Sequence, residues 1–483
     1  MASSKKNYFY NLTLTAINLL FPIISFPYAS RILGPYGIGK TQFILTFAQY
    51  FALIAALGIP VYGIREIAKV KNSPDALSKT FSELFIIYFC SSAILGLCYL
   101  IIVSNFPTLK NDHSLYVSAS LIVFIGFSSI DWFYAGIQEF KIIAIRSTII
   151  KVLSLICLFI FVKSRDDLFI FFLISLGTLL GNNIINSVAV WKRVKLITKG
   201  LNFIIHRRPL LLVFGTTLAS SMYTLFDVLI LGFLADENAV GYYVAGVKLV
   251  KVSIPIVTSM GIVLMPKIVS QLHQKSISEF YVLIRKSYEF VVFLSIPICF
   301  GLFLLAKEFI LLFSGQEFLV ATNSMKILSS LPFIIGMGYL LGIQILTTSS
   351  HDKQMLFCVC SGMVASLLFN VVLIPHFKQD GAAAANVLSE VIVTAGYYYF
   401  VRKQYDLDLK VRPIVCALLS SLIFIPVVYF TRIFFYERDV FILLVSIPVN
   451  FLFYSFFQHY VFKNIIIEEG LNVIKQKLKF QNK

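Results

Sequence analysis

Tryptophan occurs only twice in the 483 residues, and charged residues make up only 13%. Soluble domains carry about 25% charge and roughly 45–50% apolar residues. Here 58% of the chain is hydrophobic and the mean hydropathy is +0.85. Surface-to-volume scaling gives a soluble chain no core large enough to hide that excess. Acid is scarce as well, with 24 Asp and Glu against 41 Lys and Arg, a net charge of +17. The basic residues sit mainly between hydrophobic runs, so they answer to a membrane rather than to nucleic acid. The seven cysteines (90, 98, 157, 299, 358, 360 and 416) lie in apolar runs and show no ligand or redox spacing, which excludes a structural metal site. The six histidines are scattered singly at the edges of loops. HExxH, GxSxG and paired aspartates for a sugar-nucleotide metal are all missing, and every predicted outside loop is short. No enzyme, cofactor or metal is expected.

Long hydrophobic runs are what the chain does have. A spanning helix needs about 20 mostly apolar residues. Fourteen such runs are predicted, at 10–30, 41–62, 81–104, 114–135, 143–162, 168–190, 210–234, 240–264, 287–306, 325–347, 354–375, 382–401, 413–432 and 440–461. The chain reads as an all-α polytopic membrane protein. No cleavable signal peptide is expected, and the first run serves as the targeting signal. With the N-terminus inside, the inside segments hold 28 Lys and Arg and the outside segments 10, which predicts both termini in the cytoplasm.

The basic stretch 195–209 looks like a linker between two halves. The organisation expected is a first six-helix bundle over 1–194, a second over 210–403, added helices 13 and 14 over 404–461, and a basic tail over 462–483. Weak echoes support a parallel pseudo-repeat: Ile32-Leu33-Gly34 closes the first run and Ile230-Leu231-Gly232 the seventh. Two mixed stretches, Lys267 to Lys286 and Ile465 to Leu478, have the composition of segments lying flat on an anionic leaflet.

Residues 34–41, GPYGIGKT, match the phosphate-binding loop pattern letter for letter. That loop works between a strand and a helix, and here a membrane run stands on each side, so no ATP binding is expected. Its glycines and Pro35 are assigned to a tight turn. The informative residues are ionisable groups at membrane depth, where a charge costs at least about 2.5–3.5 kcal/mol and tends to face a cavity. The candidates for a cationic lumen are Arg31, Lys40, Lys151, Lys248 and Lys251, the last two being three apart and therefore on one helix face. Asp227 is the candidate for ion coupling or charge pairing. Asp131 and Glu390 are read as structural.

Four blocks carry a family resemblance: FPYASRILGPYGIG (26–39), DWFYAGIQEFKIIAIRS (131–147), VLILGFLADENAVGYYVAGVKLV (228–250) and NVVLIPHFKQDGAAAANVLSE (370–390). Together they resemble the polysaccharide repeat-unit (O-antigen, capsule or exopolysaccharide) flippases, Wzx-type, of the multidrug/oligosaccharidyl-lipid/polysaccharide exporter superfamily. The resemblance implies two six-helix bundles around a central cavity, with alternating access. It implies an undecaprenyl-pyrophosphate-linked oligosaccharide substrate, moved from the cytoplasmic to the periplasmic leaflet of the bacterial inner membrane, with ion-gradient coupling. By the same analogy a polymerase and a chain-length regulator are partners. Arg31, Lys40 and Lys248 lie in or beside matching blocks, whereas Lys151 and Lys251 are extrapolated. The rival readings are a drug/cation antiporter, whose cavity should be acidic, a lipid II flippase, and a membrane glycosyltransferase or polymerase.

Overall fold

The computed structural model describes residues 2–274, 276–407, 409–436, 438–464 and 468. The tail stretch Ile465 to Leu478 therefore lies outside the described residues, apart from Glu468. Every regular element among the described residues is helical. The chain divides into two compact units, Met1–Gly241 and Tyr242–Lys483. The first holds α1 (Ala2–Ala56), α2 (Ile59–Val70), α3 (Pro74–Asn105), α4 (His113–Phe124), α5 (Asp131–Gly136), α6 (Phe140–Phe161), α7 (Leu168–Val190) and α8 (Ile204–Leu234). The second holds most of α9 (Glu237–His273), then α10 (Ile277–Leu304), α11 (Ala306–Ser314), α12 (Ala321–Leu328) and α13 (Leu331–Gly338). A π-helical segment follows (Tyr339–Thr347), and then α14 (Asp352–Gln404), α15 (Arg412–Ser421), α16 (Phe424–Phe434) and α17 (Asp439–Phe456).

Helix α3 illustrates why these residues choose lipid. Its inward stripe is Phe81, Leu84, Tyr88, Ser92, Gly96, Tyr99 and Val103, at three- and four-residue spacing. The opposite face is no more polar: Ile94, Leu97 and Ile101 are about 60% exposed. A helix that is apolar all round yet open on one side needs a hydrocarbon solvent. Its small and hydroxyl residues point inward, where they allow close helix approach.

Ten helical stretches are long and apolar enough to cross a bilayer, or eleven if α4 and the short bent stretch after it form one span. The chain is a multi-pass membrane protein. By this measure the fourteen expected spans are not reached, and the physical reason lies in the breaks. The stretches Thr13–Val70 and Asp352–Gln404 are 58 and 53 residues long, each more than twice what one crossing requires. In α1 the break is Gly34, at φ 67° and ψ −177°, a conformation nearly closed to any residue with a Cβ. Leu14 packs on a core cluster that contains Ala56 and Ile59, so the chain reverses between them. In α14 the break is Lys378, at φ 46°. Gly362 faces Val393, Gly396 faces Cys358 and the Phe357 and Phe400 rings are 6.1 Å apart, an antiparallel hairpin that closes at Lys378.

The expected outside loop between the first two runs therefore shrinks to one residue, and Arg31 and Lys40 stand on helix rather than loop. The stretch Lys267 to Lys286 is likewise not a separate surface segment. Its first residues continue α9 to His273, and those from Ile277 begin α10, because both rods extend past the apolar windows. Ile-Leu-Gly plays different parts at its two sites: Gly34 carries a break, while Gly232 lies in α8 against the Phe43 ring.

Beyond the break at Gly34, the glycines of GPYGIGKT serve packing. A Cβ at Gly39 would stand 1.7 Å from the Glu237 carbonyl oxygen, and one at Gly241 would stand 2.1 Å from that of Pro35. Gly39→Leu is expected to lower thermal stability in detergent by about 1–3 kcal/mol, the usual cost of overpacking. Gly177→Ala, with nothing within 4 Å of the new methyl, serves as the control. Equal melting temperatures for the two variants would refute the close crossing.

Candidate functional site

The six candidate residues fall in both units. Arg31 is exposed on α1, and its Nη1 donates to the Pro27 carbonyl at 2.9 Å. Lys40 is already neutralised: its ammonium lies 2.5 Å from Asp112 and donates to the Tyr36 hydroxyl at 2.8 Å. Asp112 closes the connection between α3 and α4, so this ion pair ties that connection to the start of the second arm of α1. Lys151 sits halfway along α6 and is partly buried. Its ammonium donates to the Asn18 side-chain oxygen and lies 5.8 Å from the centre of the Phe21 ring. Among the described residues no carboxylate contacts it. An ammonium at membrane depth that meets an amide and a π face has no carboxylate there to compete with an anionic ligand.

Asp227 is completely buried in α8 of the first unit. Lys248 and Lys251 belong to α9 in the second unit, Lys248 partly buried and Lys251 exposed. Within the first unit, then, the structure brings Lys151 to α1, the helix that also carries Arg31, and spends the charge of Lys40 on Asp112.

Three charge networks, each with at least one buried member, escape a reading of the sequence. The first joins α5, α6 and α7. Arg146, 4% exposed, donates from Nη2 to Asp131 Oδ1 at 2.6 Å and from Nε to Asn182 Oδ1 at 3.1 Å. Asn186 donates to the same Asp131 oxygen at 2.7 Å. Asp131 thus meets a basic partner, Arg146, that was not among the candidate residues. The helix begins at Phe140, which carries Arg146 two turns in.

The second network is Glu83, His206 and Tyr62. His206 Nε2 lies 3.0 Å from Glu83 Oε2, and the Tyr62 hydroxyl lies 2.9 Å from Nδ1. Glu83 also accepts the Asn202 backbone N–H at 2.7 Å, and Ser82 accepts that of Ile197 at 2.9 Å. Together they strap the basic segment before α8 onto α3. His206, expected at a loop edge, is 2% exposed. The third network is bidentate, from Arg432 Nε and Nη2 to the two oxygens of Glu308 at 2.6 and 2.9 Å, and it pins α16 to α11. An acid inside an apolar run, such as Glu83 in FSELF, is the signal that would have found such partners.

The π segment was also unforeseen. Such turns are rare and concentrate at functional places. This one carries Gln344, fully buried with neither side-chain polar atom bonded, and Gly261 of α9 is close against it.

The profile of a family described as polysaccharide biosynthesis protein matches residues 4–273, more than half of the chain. The chain belongs to this polysaccharide biosynthesis family. Among its relatives is a candidate O-antigen transporter of Escherichia coli (strain K12), 26% identical over 409 residues that cover 83% of this chain and 97% of the relative. Solved structures place the family's fold. The lipid II flippase MurJ in an inward closed conformation superposes with a TM-score of 0.77 at 14% identity, covering 95% of this chain and all of that one. An inward-facing multidrug resistance MATE family transporter of the MOP superfamily gives 0.61 at 15% identity, covering 82% and 97%. These likenesses give this member of the polysaccharide biosynthesis family the MOP fold.

Proposed function

We propose that the protein is a flippase that moves undecaprenyl-pyrophosphate-linked oligosaccharide repeat units from the cytoplasmic to the periplasmic leaflet by alternating access. Family membership and the likeness to an O-antigen transporter support the substrate class. The observation that carries the reading is Lys151, a cation at membrane depth without a carboxylate partner among the described residues. Sugars and a pyrophosphate do not enter hydrocarbon unsolvated, because unpaired polar groups and charges are costly there. A cationic lumen lowers that barrier while the prenyl chain stays in lipid. Arg31, Lys151, Lys248 and Lys251 are its proposed lining. Lys40 joins it in a state where Asp112 releases it, and Asp227 is the proposed site of ion coupling.

In this reading the protein sits in the inner membrane with both termini cytoplasmic. The repeats span 1–194 and 210–403, with 404–461 added, and a polymerase and chain-length regulator act downstream. A drug/cation antiporter would need a cavity dominated by acids, and the candidate residues at membrane depth are mostly basic.

The test is deletion of the gene and complementation with wild type and with a Lys248→Ala/Lys251→Ala double variant. Surface polymer and the sidedness of undecaprenyl-linked intermediates are the readouts. The deletion is expected to lose polymer and trap full-length intermediates on the cytoplasmic side, with the double variant failing to restore them. Normal polymer together with altered sensitivity to cationic drugs would move the protein to the antiporters.

A further inference from the structure

A second cationic site lies at the ends of α10, α15 and the chain just beyond α17. A cavity of about 230 Å³ is lined by Arg285 and Glu289 of α10, Lys410 and Arg412 around the start of α15, and Gln458 and Lys463 after α17. Arg285 donates to Glu289 at 3.0 Å, so that pair is matched. Among the described residues no carboxylate pairs with Lys410, Arg412 or Lys463, and the cavity keeps three uncompensated positive charges.

The backbone that presents these cations is fixed. The Tyr288 hydroxyl donates to the Lys410 carbonyl at 2.8 Å. Gln458, 1% exposed, donates to the Ser420 hydroxyl at 3.0 Å and accepts from the Asn464 side chain at 2.8 Å, which holds the stretch bearing Lys463. Two chain segments thus bring three cations to one half-open cavity beside α10, placed where membrane helices end. That is the level of lipid headgroups, not of hydrocarbon. A basic cluster there attracts anionic lipid at about 1 kcal/mol per side chain, a fivefold effect in affinity. A diester phosphate with a small polar ester group fits the volume, with its acyl chains running alongside the neighbouring helices.

We propose that this cavity binds the phosphate of an anionic glycerophospholipid, separately from any transported substrate. The proposal stands whether or not the flippase reading does, since it needs only that the chain spans a membrane.

The full chain, purified in a neutral detergent, would be titrated with dioctanoyl phosphatidylglycerol and, separately, with dioctanoyl phosphatidylcholine, following the melting temperature. Phosphatidylglycerol is expected to give saturable stabilisation of the wild type. A Lys410→Gln/Lys463→Gln variant should need roughly twenty-five times more, two cations at about fivefold each. Phosphatidylcholine should stabilise neither. Should the double variant fail to fold, Arg412→Gln alone is read the same way, with a shift of about fivefold. Equal responses of wild type and variant, or of the two lipids, would overturn the site. A matching loss with Lys69→Gln/Lys71→Gln, exposed cations in and just after α2, would reduce it to general charge attraction. Stabilisation by inorganic phosphate at the same concentrations would overturn the lipid assignment in favour of a free anion.

Discussion

Lys151→Met should cut export of surface polysaccharide roughly ten- to a hundredfold while leaving the protein folded and in the membrane. The magnitude is that of one hydrogen bond to a charged group, about 1.5–3 kcal/mol, lost from the transported anion. Methionine keeps most of the length and apolar body of the lysine stem, and what it removes is the ammonium over the Phe21 ring. Lys151→Arg should retain much of the activity, because charge is the property required. Asn18→Ala separates two roles. If Asn18 only steadies the ammonium, export falls by a few-fold and remains sensitive to Lys151→Met. The measurement is surface polymer per cell, normalised to the amount of protein in the membrane. Wild-type export by Lys151→Met would remove this residue from the lumen and with it the strongest support for the flippase reading.

Arg146→Ala is expected to do its damage to the fold. The guanidinium is buried and holds Asp131 and Asn182, while Asn186 shares the same Asp131 oxygen. Arg146 is buried but the Asp131 side chain is 49% exposed, so the loss falls below the roughly 3–5 kcal/mol of a fully buried pair, at about 1–3 kcal/mol. Most single domains have only about 5–15 kcal/mol to lose, so low expression and a reduced melting temperature should follow. The second variant decides the cause. Arg146→Met with Asp131→Asn removes both charges at once and should recover much of the stability lost by Arg146→Ala alone. A double variant as unstable as the single one would mean that Arg146 acts through packing and not through its charge.

The fold was legible wherever apolar runs exceed a bilayer's width, as in α3, α6 and α7. The sequence was misleading where the chain reverses without a loop. Nothing in a hydropathy window distinguishes Arg31 and Lys40 on two helical arms from the same residues in a loop, since the reversal is confined to the backbone of Gly34. Charge partners were less legible still. Asp131 and Arg146 are 15 residues apart, Glu83 and His206 are 123 apart, and Glu308 and Arg432 are 124 apart. Glu83 stands out inside an apolar run, but no sequence spacing says which distant residue pairs with it. Lys40 and Lys151 looked alike in the sequence. One is matched by Asp112 and the other by an uncharged amide, a difference that depends on which helix end arrives beside each. The π segment has no periodic signature in the sequence.

The breaks at Gly34 and Lys378 also constrain how the protein is made. Each joins two bilayer-length arms through a single residue, so there is no slack for one arm to settle while its mate is still emerging from the ribosome. The two arms of α1, and later the two arms of α14, enter the bilayer as paired hairpins. The unit that enters is therefore a pair of helices, about 55 residues in the case of α1, and not a single crossing.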